Sequence, residues 1–323
     1  MTPYKCIIIG LGQIGMGYDL DSKNNKVYTH AKAFTENHDF ELIAGVDLSK
    51  TKRDLFKKRY KLNAYSKIET AMANNKADVI IIASPTENHY SILKQVFNCY
   101  SPEAILCEKP LAYNINDAEE IVNLCNKYSV KLFVNYMRRS DPGVIEIKKR
   151  IESNKILTPV KGFAWYSKGF LHNGSHFFNL LEFWLGAYVQ SNLLTSGRKL
   201  NNIDSEPDVE VNFVKGKVIF MSAQEESFSH YTIELISQSG RLRYDYGGQY
   251  ITWNSVQIDP DIPNYQVLKE KPEILYNDMD HYQLNVTIEL KKALEKKPTE
   301  ICTGIESLNT LIAMQEIIKQ KEK

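Results

Sequence analysis

The sequence predicts an α/β protein in which a doubly wound parallel sheet precedes an α+β domain with an open, mostly antiparallel sheet. In the first part of the chain, short strands rich in Ile and Val alternate with helical patterns. After about residue 150, strand patterns follow one another with only short turns between them. Since 323 residues correspond to roughly two domains, we expect domains at residues 1–134 and 135–323.

The strands of the first domain are short apolar runs, as is typical of parallel strands that are buried on both faces. They are predicted at Lys5–Ile9, Phe40–Val46, Asp78–Ala83, Ala104–Cys107 and Lys131–Val134. Helical patterns lie between them at Asn88–Phe97 and Asn116–Tyr128. Strands that alternate with helices predict a doubly wound parallel sheet.

The second half is predicted to be mainly strands, followed by C-terminal helices. The strands are predicted at Val160–Tyr166, Asp208–Val214, Lys217–Ala223, Tyr231–Ser237, Gly240–Tyr246 and Gln249–Trp253. Short turns between successive strands favour antiparallel pairing. Near the end, Thr303 and Glu306 form a capping-box pattern ahead of an apolar helical repeat.

Composition excludes several classes of function. The chain has 40 Lys+Arg and 39 Asp+Glu, a net charge of +1, which gives no electrostatic reason to expect nucleic acid or an anionic membrane as partner. The longest apolar runs are far shorter than the roughly 18 residues that span a bilayer. We expect a cytoplasmic protein. The 5 cysteines show no C-x-x-C spacing and are expected to be buried, reduced thiols.

The strongest early motif is Gly10-Leu11-Gly12-Gln13-Ile14-Gly15, directly after the first predicted strand. The first glycine permits a tight turn, the second lets the backbone approach a pyrophosphate, and the third lets a helix pack on the strand. The motif in this position predicts a dinucleotide site, although a purely structural turn is the alternative.

Asp47, at the end of the second strand, is expected to accept hydrogen bonds from the adenosine ribose and so to favour NAD over NADP. Its distance from Gly15 is 32 residues (47 − 15), against about 20 in the usual fingerprint. We attribute the difference to an insertion over residues 17–29, after which the first helix resumes near His30. Nearby cations leave NADP possible: Lys50, Lys52 and Arg53.

Further motifs complete a family pattern. They are Ser84-Pro85-Thr86 with His89, Glu108-Lys109-Pro110, the segment 135–142 with Arg138 and Arg139, and His172-Asn173-Gly174-Ser175-His176. In this order, with the glycine turn, they resemble the glucose–fructose oxidoreductase, inositol dehydrogenase and rhizopine-catabolism family (Gfo/Idh/MocA). The resemblance implies an N-terminal Rossmann domain, a C-terminal sheet that serves oligomerisation as a homodimer or homotetramer, and reversible hydride transfer between a nicotinamide and a sugar, cyclitol or nucleotide sugar.

The motif residues also suit this chemistry on their own terms. Oxidation of a secondary alcohol needs a base for the hydroxyl proton, and a histidine titrates near the working pH. A lysine can hold and polarise the substrate oxygen. We therefore expect the catalytic residues to be Lys109, His176 and His172.

The predicted contacts follow from the same motifs. Cofactor contacts are expected from Gly10, Gly12, Gln13, Ile14, Gly15, Asp47, Ser84, Pro85, Thr86, His89, Glu108 and Lys109. Substrate contacts are expected from Lys109, Arg138, Tyr166, Lys168, His172, Asn173 and His176. Each of these residues also has a purely structural alternative. His89 would only support the fold, Arg138 or Arg139 would form a surface ion pair, and Tyr166 would be an aromatic residue at a strand end. No metal is expected, because no further ligand lies near the two histidines in sequence.

The chain departs from the family at two positions. His172 stands where an Asp is usual, and Asn179 replaces a second Asp. Loss of both carboxylates, together with the cations Lys168 and Arg138, suggests an anionic sugar as substrate. Two other functions stay open: an enzyme that retains NAD and cleaves glycosides without net redox change, and a non-catalytic sensor of nucleotide or sugar.

Overall fold

The computed structural model describes residues 2–20, 25–200 and 203–320, which form two compact units. The first unit comprises Met1–Ser140 and Asp280–Leu308, and the second comprises Asp141–Met279 and Asn309–Lys323. This division adds residues 135–140 and 280–308 to the region predicted as the first domain. Part of the predicted insertion, residues 21–24, lies outside the described residues.

The first unit contains a parallel sheet with the order β3-β2-β1-β4-β5-β6. The strands are β1 Tyr4–Ile9, β2 Phe40–Val46, β3 Asn63–Tyr65, β4 Val79–Ile82, β5 Ala104–Cys107 and β6 Lys131–Val134. The helices between them are α1 His30–Glu36, α2 Lys50–Tyr60, α3 Ile68–Asn74, α4 His89–Cys99 and α5 Ile115–Lys127. The strand order reverses between β1 and β4, and doubly wound sheets bind ligands at the carboxyl ends of the strands beside such a reversal.

The second unit contains a mixed, mostly antiparallel sheet with the order β14-β13-β12-β11-β7-β10-β9-β8, and β15 pairs with β13. Its elements are α6 Pro142–Glu152, β7 Val160–Tyr166, α7 Ser175–Leu185, β8 Tyr188–Lys199, β9 Ser205–Phe213, β10 Gly216–Ser222, β11 Thr232–Ser237, β12 Gly240–Asp245, β13 Tyr250–Ile258, β14 Gln266–Leu268 and β15 Glu273–Leu275. The central strand β7 runs parallel to β10 and antiparallel to β11.

The chain then returns to the first unit through α8 Tyr282–Leu294, and it ends in α9 Gly304–Ile318. Val286, Leu290 and Leu294 of α8 are buried in the same apolar cluster as Ile8 of β1. This shared core explains why residues 280–308 belong to the first unit and not to the second. The predicted capping box forms at α9, where Thr303 N donates to Glu306 Oε2 at 2.8 Å and Glu306 N donates to Thr303 Oγ1 at 3.3 Å.

The cysteines are free thiols. Cys6, Cys107, Cys125 and Cys302 are buried, as expected, but Cys99 is exposed because it lies in the last turn of α4. Among the residues described, no helix is long and apolar enough to cross a membrane.

Candidate active site

A cavity of about 820 Å³ opens in the first unit at the carboxyl ends of β1, β2 and β4. Its lining includes seven of the predicted cofactor contacts: Gly10, Gly12, Gln13, Ile14, Asp47, Ser84 and Pro85. The lining continues over residues 66–69 and along one side of α4, at Asn88, Ser91, Ile92 and Gln95. Gly15, Thr86, His89, Glu108 and Lys109 are not part of the lining.

The three motif glycines have different environments. Gly10 has a φ of +102°, and a Cβ there would lie 2.5 Å from the carbonyl oxygen of Ala83. A Cβ at Gly15 would overlap the carbonyl oxygen of Gly10. At Gly12, in contrast, a Cβ would meet no atom within 4 Å and would project into open space beside the cavity. The turn thus leaves room at the position where a pyrophosphate approaches the backbone, and the residues fit a dinucleotide.

The first helix, α1, begins after the segment predicted as an insertion, and residues 12–16 before that segment form a bend and turns. The backbone N–H groups of His30 and Ala31, at the start of α1, donate to the carbonyl oxygens of Ile14 and Gly15 at 3.1 and 2.9 Å. The buried Asp19 closes the inserted loop, because its Oδ2 accepts from the backbone and the hydroxyl of Thr29, each at 2.7 Å. The helix α1 therefore begins at His30, near which the sequence predicted a helix.

Asp47 is bound to the glycine turn as well as facing the cavity. Its Oδ2 accepts from the backbone N–H of Leu11 at 2.9 Å, and its Oδ1 accepts from Ser49 N at 2.8 Å. The Lys52 ammonium lies 3.6 Å from Oδ2 and also lines the cavity. Arg53 donates instead to the carbonyl oxygens of Asp47 and Leu48, at 2.8 Å each. Of the three cations considered for NADP, Lys52 is the one on the cavity lining.

His89 links two turns at the carboxyl end of the sheet. It is fully buried, and its ring nitrogens lie 3.0 Å from the carbonyl oxygen of Ser84 and 3.1 Å from that of Leu111. Burial lowers the pKa of His89, which favours the neutral ring, and a neutral imidazole has one N–H donor. These contacts give His89 a structural role beside the cavity, which is the structural alternative considered for this residue.

Glu108 is directed into the protein interior. Its Oε1 lies 2.7 Å from His30 Nε2 and accepts from Asn135 Nδ2 at 2.6 Å. Its Oε2 accepts the backbone N–H of Lys109 at 3.3 Å. Burial opposes the charged carboxylate, but hydrogen bonding and charge from His30, then Asn135 and Lys109, hold the pKa of Glu108 below its usual value. The carboxylate is used to hold the Lys109 turn, so the expected contact between Glu108 and the cofactor is not supported.

The two arginines after β6 are both largely buried. Arg139 pairs with Glu306 at 2.7 Å and donates to the carbonyl oxygen of Glu300 at 3.2 Å. Arg138 lies in the short helical turn Met137–Ser140 and belongs to the first unit. Arg139 is thus committed to a structural pair, which leaves Arg138 as the candidate substrate contact of this segment.

The predicted histidines belong to the second unit. Residues Gly169–Gly174 form a π-helical turn that leads directly into α7. His172 is exposed on this turn, whereas His176 is half-buried in the first turn of α7. Lys168, with a φ of 62°, precedes the turn, and Asn173 donates to the hydroxyl of Tyr231 at 2.7 Å.

Two buried carboxylates that the sequence analysis missed hold this turn. Asp204 accepts the backbone N–H groups of Leu171 and His172 at 2.9 and 3.0 Å. Glu206, which is fully buried, accepts the backbone N–H of Gly169 at 3.1 Å. The residue before β9 and β9 itself thus supply two carboxylates near His172 from a distant part of the sequence, and Glu206 is also paired with Arg198. Burial raises the pKa of Asp204, although the backbone donors oppose the rise.

Tyr166 is fully buried, and its hydroxyl donates to the carbonyl oxygen of Pro207 at 2.6 Å. The predicted substrate contact is not supported, because the phenol has no solvent-facing surface. Within the described part of the chain, no group of three or more His, Cys, Asp or Glu side chains is arranged to hold a metal ion.

Comparison with known proteins identifies the first unit's relatives. Residues 4–136 match the model of the Gfo/Idh/MocA group, described as "Oxidoreductase family, NAD-binding Rossmann fold". An inositol 2-dehydrogenase of Rhizobium meliloti is 25% identical over 149 residues, which cover 46% of this chain and 41% of the relative. The chain thus spans less than half the length of the first curated relatives in sequence alignment.

Solved structures are similar over nearly the whole chain. An NAD binding oxidoreductase from Klebsiella pneumoniae has a TM-score of 0.77 at 15% identity and covers 98% of this chain and 97% of its own. The WlbA dehydrogenase from Bordetella pertussis, in complex with NADH and UDP-GlcNAcA, has a TM-score of 0.75 at 16% identity, with 98% and 97% covered. At these identities the similarity shows the shared fold.

Proposed function

Because residues 4–136 match the Gfo/Idh/MocA family model of oxidoreductases with an NAD-binding Rossmann fold, we propose that the protein is an NAD-dependent dehydrogenase acting on CH–OH groups. It transfers a hydride between NAD and a secondary hydroxyl or ketone of a sugar, cyclitol or nucleotide sugar. The observation that carries this proposal is the open space at Gly12, on a cavity that continues to the carboxylate of Asp47.

The nucleotide is expected to follow the cavity lining. Backbone groups of Gly12, Gln13 and Ile14 would hold the pyrophosphate, and Asp47 would accept hydrogen bonds from the adenosine ribose. The negative charge of Asp47 disfavours a 2′-phosphate, while Lys52 at 3.6 Å offsets part of that charge. The nicotinamide of bound NAD would supply the hydride acceptor for oxidation and the hydride donor for reduction.

The protein's own groups handle the proton and the substrate oxygen. In the oxidation direction, His176 takes the hydroxyl proton as the C–H hydride leaves, and Lys109 stabilises the developing charge on the oxygen. In reduction, His176 returns the proton. His172 shares the proton relay, and Lys168, Asn173 and Arg138 contact other hydroxyl groups of the substrate.

The named relatives support the substrate class. An inositol 2-dehydrogenase is among the sequence relatives, and the WlbA dehydrogenase structure contains UDP-GlcNAcA. Both ligands are polyhydroxylated rings. Asp204 and Glu206 bind the backbone of the 169–174 turn, and Glu206 also pairs with Arg198, so neutral and anionic sugars are both tested.

We further propose a homodimer or homotetramer that assembles through the open sheet of the second unit. Phe163 on β7 and Ile236 on β11 are each 46% exposed, on neighbouring paired strands. They occupy diagonal positions, where Phe163 pairs with Glu234 and Ile236 with Lys161, and exposed apolar side chains on one face of a sheet are typical of an interaction surface. Light scattering of the wild type and of a Phe163→Lys variant tests this, with a shift to monomer expected in the variant.

The direct test of function combines nucleotide binding with turnover. NADH and NADPH are titrated by fluorescence, and cyclitols, sugars and nucleotide sugars are screened for NADH formation at 340 nm. We expect NADH to bind more tightly than NADPH and at least one ring alcohol to be oxidised. Tight NAD binding without net turnover would favour the glycoside-cleaving alternative, and absence of binding by either nucleotide would contradict the proposal.

A further inference from the structure

The Lys109 turn is held from inside the first unit by side chains from three other segments. His30 from α1 and Asn135 from the end of β6 both contact Glu108 Oε1. Asn135 Nδ2 also donates to Gln283 Oε1 of α8 at 3.2 Å. His30, Asn135 and Gln283 are 1%, 3% and 0% exposed. A buried polar network of this kind fixes the geometry of the groups it joins, provided that the carboxylate remains hydrogen-bonded.

The two ring nitrogens of His30 have different surroundings. Its Nε2 lies 2.7 Å from a carboxylate oxygen, so this nitrogen carries a proton and donates. Its Nδ1 is buried and has no hydrogen-bond partner in the part of the chain that the structure describes. The contact that the network uses is therefore donation from the Nε2–H of His30 to Glu108 Oε1.

We propose that His30 is a positioning residue for Lys109: by donating to Glu108, it fixes the carboxylate whose other oxygen holds the backbone of Lys109. This inference rests on the proposed function, because it takes Lys109 as the residue that holds the substrate oxygen. It assigns a task to a side chain that the motif analysis left unused.

The position of His30 depends in turn on the insertion. Thr29 is the N-cap of α1, and its hydroxyl and backbone both bind Asp19. Tyr28 stacks on Tyr282 with ring centroids 5.2 Å apart. Thr29 is thus held by Asp19, and Tyr28 is held by Tyr282. These two contacts fix the backbone just before His30, the first residue of α1.

Several titratable groups face Glu108, and any pH effect must take them into account. Besides His30 and the adjoining Lys109, they are His89, Tyr282 and Cys107, whose own ionisation is coupled to the charge of Glu108. His89 is a weak base because burial lowers its pKa. Burial, followed by the charge of Glu108, raises the pKa of Tyr282, and burial likewise raises the pKa of Cys107. Loss of the His30 donor is expected to raise the pKa of Glu108.

The test compares His30→Leu, which removes the donor, with His30→Gln, whose amide N–H can still reach the carboxylate. His38→Leu is the matched control, since His38 is exposed after the end of α1. The readouts are the melting temperature, the Kd of NADH, kcat and KM with the alcohol found by the screen, and the titration of Glu108. That titration is followed by carbon NMR of glutamate-labelled protein and assigned with Glu108→Gln.

We expect His30→Leu to lower kcat about tenfold or more, as removal of supporting partners does at other sites, with the Kd of NADH within about twofold of the wild type. Glu108 should titrate at higher pH in His30→Leu and near the wild-type value in His30→Gln, which should recover most of kcat. His38→Leu should match the wild type throughout.

Two results would overturn the role of His30. One is a His30→Leu protein with wild-type kcat. The other is a parallel loss of melting temperature, NADH affinity and kcat that His30→Gln does not restore, which would make His30 a purely structural residue. If the wild type itself oxidises none of the alcohols, the proposed function fails. The titration of Glu108 then tests, without any turnover, whether His30 donates to the Glu108 carboxylate. An unchanged titration in His30→Leu overturns that contact.

Discussion

The carboxylate of Asp47 accepts a hydrogen bond from the backbone N–H of Leu11, with 2.9 Å between Oδ2 and N. The acidic residue at the end of β2 and the glycine turn at the end of β1 are therefore one structural unit. Since Asp47 also lines the cavity, the carboxylate proposed to select the nucleotide is the one that binds the glycine turn.

Exchange of Asp47 for Asn tests the nucleotide preference. The amide oxygen of Asn can still accept a hydrogen bond from the backbone N–H of Leu11. The negative charge of Asp47 is lost, however, so it no longer balances the positive charge of Lys52. We expect Asp47→Asn to lower the NADH:NADPH affinity ratio about tenfold, the equivalent of about 1.4 kcal/mol, as measured by fluorescence titration. Lys50→Met, at an exposed position paired with Asp54, is the control. An unchanged ratio would show that Asp47 serves only the turn.

The motif glycines give a second prediction, because their surroundings differ. Gly12→Ala adds a methyl group in open space beside the cavity and should leave the melting temperature unchanged while weakening NADH binding about tenfold or more. Gly15→Ala overlaps the backbone at Gly10 and should cost about 1–3 kcal/mol of stability. Thermal unfolding with and without NADH separates the two. Equal effects of both substitutions on stability would contradict the assigned geometry.

Tyr166 provides a test of a structural role against a substrate role. Its buried hydroxyl donates to Pro207 O, so Tyr166→Phe should lower the free energy of unfolding by about 1–3 kcal/mol, because the carbonyl oxygen is left unpaired. Turnover should stay within about twofold of the wild type. A large drop in kcat with unchanged stability would restore Tyr166 to the list of substrate contacts.

Asp141 predicts a pH dependence of stability. It is the N-cap of α6 and accepts from Gly143 N and Asp278 N, each at 2.8 Å. Burial raises the pKa of Asp141 to about 6 despite these donors. The folded state holds the proton of Asp141 more tightly than the unfolded chain does. This proton therefore contributes to the free energy of unfolding. The contribution is fully present below about pH 4 and is lost as the pH rises through about 6. The loss amounts to about 3 kcal/mol at most.

Urea unfolding between pH 4 and 8 measures this effect as the difference between the wild type and Asp141→Asn, since Asn is an equally good N-cap. The wild type should lose stability relative to the variant as the pH rises. Asp117→Asn, in the first turn of α5, where the half-buried Asp117 accepts from Asn114 Nδ2, is the matched control and should follow the wild type. A difference that is flat with pH would contradict the shifted pKa of Asp141.

Much of the fold could be predicted from the sequence, because buried parallel strands carry a strong local signal. Phe40–Val46, Ala104–Cys107, Lys131–Val134 and Val160–Tyr166 are strands with the predicted bounds. The helix α2 was missed because its surface is largely charged and only Phe56 is buried. The strand β8 was missed because most of its side chains are exposed, so no apolar alternation marks it.

The candidate site was predictable to the extent that it rests on local motifs. The glycine turn, Asp47 and Ser84-Pro85 all line the cavity. The interior contacts of Glu108 and the carboxylates Asp204 and Glu206 depend on residues far apart in sequence, such as His30 and Leu171. A single sequence carries no signal for such pairs, and the inference about charge near His172 therefore omitted Asp204, just before β9, and Glu206, within β9.

The central claim is that Lys109 and His176 carry out the substrate chemistry while the cavity binds the nucleotide independently. Steady-state oxidation of the alcohol identified by the screen, followed at 340 nm together with NADH titration, measures it in Lys109→Met and His176→Gln. We expect each variant to lose about 100-fold or more in kcat, in the range of general acid–base catalysis, with the Kd of NADH within about twofold of the wild type. Variants that keep wild-type turnover would contradict the claim.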